Sequence, residues 1–484
     1  MSDPLLLVLI VLTPLIGAIL VIITGRWPNL REAVSLATGA ILVTEVALLA
    51  PAVLAGETPG VLLAIPVPGV PLALQLEPLG LLFALIASTL WIVTTIYAIG
   101  YMRGHGESHQ TRFYAFFAIA ISATMGVALA QNLFTLFLFY ELLTVSTYPL
   151  VTHAGTDEAR RGGRVYLGIL MGTSMGFLLL AVIWTWQLTG TTGFKAGGIL
   201  AGQASPLIIG ILYALFAFGI GKAALMPFHR WLPAAMVAPT PVSALLHAVA
   251  VVKAGVFAIL KITVYVFGID LLADNRASSL ILWVAAITII GASLVALNQD
   301  NLKRRLAYST ISQLSYVVLG AVLANAAGIT GAAVHIATHA VGKITLFFCA
   351  GAILVAAHKT RVSELDGLGR QMPVTMGAFL IASLSIAGLP PMAGLWGKWY
   401  LAIGAFDAGY GVLVGILMLS TLLNLAYLLP IPLRAFFANA PQRDTQLKEA
   451  PLPCLIGIGL TTTACVVLFF FPGPIYRLAS MLVL

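Results

Sequence analysis

Charge is what this sequence has least of: Asp, Glu, Lys and Arg make up 9% of its 484 residues, where a soluble domain carries about 25%. With 60% hydrophobic residues and a mean hydropathy of +1.03, the chain cannot cover itself with a water-compatible surface, so the solvent it faces is lipid. Cysteine is also scarce. Cys349, Cys454 and Cys465 show no CxxC or other ligand spacing, which argues against iron–sulfur and structural zinc sites. The Gly-Lys pairs at 221–222, 342–343 and 397–398 lack the upstream glycine and following Ser/Thr of a phosphate-binding loop. No nucleophile–base motif is present either, so neither a catalytic site nor a cofactor is expected on this chain. The N-terminal Met1-Ser-Asp-Pro-Leu has no positive region ahead of its apolar run and reads as the start of a spanning helix, not a cleaved leader.

What the chain has in abundance is apolar runs of spanning length. About fourteen are expected, near 5–24, 33–54, 77–100, 111–130, 131–150, 163–188, 205–227, 238–267, 277–297, 301–324, 328–357, 373–404, 409–435 and 451–472. The stretch Glu57–Leu76, rich in proline and glycine with alternating apolar residues, reads as a short hairpin outside the membrane. The fold class is therefore an all-α polytopic membrane protein.

The loops divide the cations unequally. Of 25 Lys and Arg, 17 fall in odd-numbered loops, among them Arg160, Arg161, Arg164, Lys303, Arg304, Arg305 and Arg443. The even-numbered loops and the C-terminus hold only Lys195, Lys261, Arg276 and Arg477 on this count. The positive-inside rule then puts both termini outside the cytoplasm of a bacterial or archaeal inner membrane. Membrane topology accounts for the net charge of +8, and nucleic-acid binding is not implied.

Four lysines remain, all inside expected spans: Lys222, Lys253, Lys343 and Lys398. A charge at the centre of a spanning helix costs roughly 2.5–3.5 kcal/mol on insertion scales. Packing never requires that cost, so function is the better explanation. The competing one, a side chain snorkelling to the interface, fits Lys398 best because it lies far along its segment. Lysine suits proton relay because desolvation brings an ammonium towards release, and a movable acid partner switches it. Glu141 is the one acid deep in the central spans and the natural partner, although the sequence does not say which lysine it faces. In the eleventh span His335, His339 and Lys343 recur at i, i+4 and i+8, a polar line of about 12 Å on one helical face. His247, six residues before Lys253, belongs to the same file; a metal site of the HxxxH kind is disfavoured because no third ligand accompanies it. Glu45, in the second span, either faces a neighbouring subunit, marks a lateral polar path, or sits at an interface.

Prolines add an independent signal. Pro227 follows Lys222 by five residues, and Pro390-Pro391 precede Lys398. Interrupted helices carrying a buried charge point to transporter sites, where the loosened backbone lines a cavity. These are the seventh and twelfth spans, five apart, so spans 4–8 and 9–13 are expected to form inverted halves. The expected organisation is an N-terminal three-helix segment at 1–110, first repeat at 111–267, second repeat at 277–435 and a fourteenth helix in 436–484.

The stretch Gly221-Lys-Ala-Ala-Leu-Met-Pro-Phe-His-Arg-Trp-Leu-Pro233, followed by Ala238-Pro-Thr-Pro-Val-Ser-Ala-Leu-Leu-His247, closely resembles the signature of antiporter-like subunits. Such subunits occur in respiratory complex I and in Mrp-type multi-subunit sodium/proton antiporters. Asn298–Gln313, Glu364-Leu-Asp-Gly-Leu and Gly388–Trp399 resemble the same family. The resemblance implies fourteen helices in two inverted halves with broken seventh and twelfth helices. It implies a switch pair of Glu141 and Lys222, a central file of His247, Lys253, His335, His339 and Lys343, and Lys398 at the end of the twelfth helix. Phe139-Tyr-Glu-Leu-Leu-Thr and Thr147-Tyr-Pro-Leu-Val-Thr-His look most like the D-type subunits of Mrp antiporters. The chain stops after its fourteenth helix, without the lateral helix or extra domains of the larger relatives. Lysine at 398 departs from the M-type complex I subunit, whereas the N-type subunit shares both this length and that lysine. The implied partners are other membrane subunits, protons and Na+.

Overall fold

A computed structural model describes residues 2–274, 278–438 and 448–483. Arg276 and Arg443, counted among the loop cations, lie outside the described residues. The chain opens with α1 (Asp3–Ile23) and α2 (Pro28–Leu54), then a hairpin of β1 (Gly60–Val67) and β2 (Val70–Gln75). It continues through α3 (Pro78–Gly104), α4 (Gln110–Ala128), α5 (Leu133–Val151), α6 (Asp157–Thr189) and the shorter α7 (Pro206–Gly219). Next come α8 (Thr240–Phe267), α9 (Ser279–Leu297), α10 (Leu302–Val322) and the 32-residue α11 (Ala326–Ala357). The chain then forms α12 (Pro373–Ala387), α13 (Gly394–Asp407), α14 (Gly411–Phe437), α15 (Leu452–Phe470) and a short α16 (Gly473–Ser480).

Among the described residues, eleven helices are long and apolar enough to cross a membrane. The expected fourteen segments are completed by α7, by the broken pair α12 and α13, and by α10. The last is unusually polar for a span, with Ser309, Thr310, Ser312, Gln313 and Ser315 all buried. Helix starts follow local chemistry. Asn132, Thr156, Asn301 and Asn325 each accept a backbone N–H of the following first turn, and prolines begin α2, α3, α7 and α12. Thr156 starts α6 several residues ahead of the expected 163, and α16 is a helix that hydropathy does not reveal. Outward-facing side chains are apolar, as lipid contact demands: Ile19, Leu48, Ile287 and Met418 are each more than half exposed.

The hairpin is present, with Gly60 opposite Gln75 and Val67 opposite Val70. Its second strand is tied to the α4–α5 corner by Gln75 N–H to the Leu129 carbonyl (2.7 Å) and Ala73 N–H to Thr135 Oγ1 (3.1 Å).

Both expected interruptions exist. The first begins earlier than the proline suggests: α7 ends at Gly219, and Lys222 sits in a single tight turn, Gly221–Ala223, followed by Ala224 at φ +54°. Pro227 therefore lies within an already non-helical stretch. α6 comes close at this exit: a Cβ on Gly219 would stand 2.4 Å from the Leu178 backbone nitrogen in a π turn of α6, so only glycine fits. The second interruption runs from Gly388 (φ +82°) through Pro390 and Pro391 to α13.

Candidate functional site

The sequence leads to an expectation of four lysines inside the bundle, and the structure holds five. Lys222, Lys253, Lys261 and Lys343 are fully buried and Lys398 is 8% exposed. Lys261, which the sequence places with the loop cations, lies inside α8 with its ammonium 2.8 Å from the Glu77 carboxylate. Its signal in the sequence is spacing: it follows Lys253 by eight residues, the same interval that separates His335 from Lys343.

At one end of the line, Lys222 is held by α5. Its ammonium donates to the Tyr140 carbonyl (2.8 Å) and to Thr144 Oγ1 (2.5 Å), and lies 3.2 Å from the centre of the Tyr140 ring. The Tyr140 hydroxyl in turn accepts the Lys222 backbone N–H at 3.1 Å. Glu141, next along α5, makes no ion pair with it. Both its carboxylate oxygens are buried without a hydrogen-bond partner among the described residues. Trp231 fixes the turn from the far side by donating its indole N–H to the Gly221 carbonyl (2.9 Å).

α8 carries the next groups, and its ladder is irregular where they sit. Leu245–Val249 form a π turn, with Ala250 N–H reaching the Leu245 carbonyl at 2.9 Å. Such bulges occur mostly at functional positions, and this one holds His247 4.4 Å from the Phe347 ring centre on α11. Neither nitrogen of His247 has a partner among the described residues. One turn beyond, the Lys253 ammonium meets His339 Nδ1 at 2.7 Å, joining α8 to α11.

α11 displays its three groups as the spacing requires. His335 and His339 stack ring on ring at 5.6 Å, and His335 stacks on Tyr316 of α10 at 5.4 Å. Lys343, on the next turns, donates to Ser309 Oγ (2.6 Å) and to the Leu306 carbonyl (3.3 Å); Tyr427 donates to the same Ser309 at 2.8 Å. Gln313 is fully buried beside this line, and its amide has no partner among the described residues.

Lys398 is turned into the protein. Its ammonium donates to the carbonyl of Ala387, the last residue of α12, at 2.9 Å, and lies 5.1 Å from the Tyr316 ring centre. A cation at a helix C-terminus is favoured by the unpaired carbonyls there. Close packing sets this geometry: a Cβ on Gly397 would come within 2.8 Å of His335, and one on Gly388 within 2.7 Å of the Lys398 side chain.

Glu45 is buried, and one of its carboxylate oxygens accepts from Thr13 of α1 at 2.7 Å. Among the described residues no three His, Cys, Asp or Glu converge as a metal site would need.

The structure thus joins Lys253 to His339, His339 to His335 and, across Tyr316, His335 to Lys398; Lys222 packs against Gly255 of α8, and His247 and Lys343 are buried on α8 and α11. Buried polar atoms in native proteins are hydrogen-bonded to protein or to ordered water. The carboxylate of Glu141, both ring nitrogens of His247 and His335, His339 Nε2 and the Gln313 amide are the polar groups here whose partners lie outside the described residues. The hydroxyl and aromatic members (Tyr140, Thr144, Ser309, Tyr316, Tyr427) carry no signal in the sequence that singles them out.

Comparison with known proteins identifies the family. Residues 130–424, more than half of the chain, match the family described as NADH:quinone oxidoreductase/Mrp antiporter, TM. NADH-quinone oxidoreductase subunit N of Desulforudis audaxviator is 33% identical over 386 residues, covering 78% of this chain and 75% of that protein. Na(+)/H(+) antiporter subunit A1 of Staphylococcus aureus is 30% identical over 441 residues, covering 83% of this chain and 52% of that one. The chain spans about half the length of that protein and of the chain 5 relatives, such as the one from Picosynechococcus. In structure it superposes on a chain of the Mrp complex from Dietzia sp. with a TM-score of 0.88 at 21% identity, covering 100% of this chain and 97% of that one. A chain of the membrane-bound sulfane sulfur reductase, an archaeal respiratory membrane complex, gives 0.84 at 22%, covering 100% and 98%. This chain belongs to the NADH:quinone oxidoreductase/Mrp antiporter transmembrane family.

Proposed function

We propose that the chain is a proton-translocating membrane subunit of a multi-subunit monovalent cation/proton antiporter, of the kind represented by the D-type Mrp subunits. The observation that carries this reading is the buried hydrogen bond between Lys253 and His339, which joins α8 to α11 between the two segments whose breaks carry Lys222 and Lys398. In this reading the lysines and histidines pass protons along a file of water, and Glu141 biases Lys222 by approaching or leaving it. α4–α8 and α9–α14 act as two inverted halves, with Lys222 and Lys398 at their respective breaks. The arginine-rich loops face the cytoplasm, and both termini lie on the other side. The chain works with other membrane subunits, has no catalytic site of its own, and Na+ is the cation exchanged.

The second reading is a proton-pumping subunit of a complex I-like oxidoreductase, favoured by the 33% identity to an N-type subunit across 75% of that protein. Cation-induced proton flux, measured in inverted vesicles holding the whole native complex without an electron donor, separates the two. Na+-dependent flux that vanishes in Lys222→Ala supports the antiporter. Flux that needs a reductant assigns the same residues to a redox-driven pump.

A further inference from the structure

The buried line leaves Lys261 and Glu77 unused, yet both are placed to serve it. Lys253, Phe257 and Lys261 recur at i, i+4 and i+8 on α8, so they share a face and span about 12 Å. Phe257, between the lysines, is fully buried and stacks on Phe83 of α3 at 4.8 Å. Beyond that stack Lys261 pairs with Glu77 at 2.8 Å. The other oxygen of Glu77 accepts the backbone N–H groups of Leu79 (2.6 Å) and Gly80 (3.0 Å), capping α3, and Tyr265 reaches it at 3.4 Å. Outside the pair lies a cavity of about 990 Å³, lined by Glu57, Gln75, Glu77, Lys261, Tyr265 and Asn325 among others. Its walls come from the even-numbered connections, at the end of the molecule away from the arginine-rich loops.

We infer that this cavity is the vestibule through which protons on Lys253 leave or reach the line, with Glu77 as the terminal carrier and the Phe83–Phe257 stack as the seal. The inference rests on the proton-translocating reading above. Two stacked apolar rings in a narrow path exclude water, and hydrophobic constrictions gate in this way. When the rings part, water connects Lys253 to the vestibule pair. The Lys253 ammonium gives a proton through that water to the Glu77 carboxylate. The resulting carboxylic acid releases it to the vestibule, leaving Lys253 neutral and Glu77 ionised again. Lys261 stays cationic throughout and is a positioning residue that holds the carboxylate at the floor of the cavity.

The test uses inverted vesicles containing the native complex. Glu77→Gln keeps an oxygen able to cap α3 but removes the carrier, and should lower cation-driven proton flux by at least about tenfold. The double variant Glu77→Gln/Lys261→Gln, which strands no buried charge, should be equally slow. Phe257→Ala should open the seal, so that an imposed pH gradient decays about tenfold faster without any coupling cation. Adding Glu77→Gln to that variant should restore the wild-type decay, a reversal that loosened packing alone would not produce. Full flux in both Glu77 variants, or a leak that ignores Glu77, overturns the vestibule assignment. Full flux in Lys222→Ala would instead remove the proton-translocating reading itself.

Discussion

Lys253 of α8 and His339 of α11 share a hydrogen bond of 2.7 Å at the centre of the bundle, both fully or nearly fully buried. In the proposed relay a proton shared by the two leaves one member charged and the other neutral. Replacing either by an aliphatic side chain leaves the other unpaired, at a cost of about 1–3 kcal/mol. Lys253→Leu and His339→Leu should each reduce proton flux at least about tenfold, and the double variant should be little worse than either. Additive losses in a double-mutant cycle would show that the two act separately.

Glu141→Ala and Lys222→Ala should each abolish transport while the complex still assembles. The structure adds a third test. Thr144→Val removes a 2.5 Å acceptor of the Lys222 ammonium and should alter the rate without ending it. Normal antiport in the Glu141 or Lys222 variant would end the assignment of that pair.

Lys343 is anchored to Ser309 and the Leu306 carbonyl, whereas His335 is held mainly by stacking. Lys343→Ala should therefore be more damaging to flux than His335→Ala. The reverse order, measured in the same vesicles, would relocate the central file.

Glycines set the position of Lys222. A Cβ on Gly255 of α8 would meet the Ala223 backbone nitrogen at 2.4 Å, and one on Gly221 would meet Thr173 Oγ1 at 2.3 Å. Gly255→Ala forces backbone to move and should destabilise the protein by about 1–3 kcal/mol. The thermal midpoint of the detergent-solubilised complex reads this directly; an unchanged midpoint would mean that the turn yields freely.

Outside the membrane, His153 follows α5, its ring Nε2 lying 3.0 Å from the Ser108 carbonyl while Arg112 donates to the His153 backbone carbonyl at 2.7 Å. Burial, and then the Arg112 charge, hold the imidazole below its ordinary value. A group with a depressed folded value stabilises the fold above its unfolded value, near 6.5 for histidine, and loses that contribution as pH falls further. The 105–113 loop should exchange its amide hydrogens faster below about pH 6, and His153→Gln should flatten this dependence. Equal pH sensitivity in the variant would place the titration elsewhere.

Much of this architecture is legible in the sequence because lipid imposes a simple rule on it. Apolar runs of spanning length locate most of the helices within a few residues. The i, i+4, i+8 pattern of His335, His339 and Lys343 places them on one face. Other features depend on tertiary contact. The α7 break begins after Gly219, ahead of Pro227, at the point where α6 packs closest on it. Lys261 falls inside the expected span 238–267, six residues from its end, and is counted with the loop cations; only the packed structure shows that its ammonium is buried against Glu77. Thr144 and Ser309 are invisible because hydroxyls in spanning helices commonly bond their own preceding carbonyls, so only the packed structure shows which ones also hold a lysine.

α11 contains no proline and no π turn along its 32 residues, about 48 Å of uninterrupted ladder. Its three ionisable groups are thus mounted on one stiff shaft and keep constant separations from one another. Their counterparts ride on α8, which carries two π turns, and on α13, which begins at a break. In the proposed transport cycle α11 is then the stator, and rearrangement falls to the irregular helices around it.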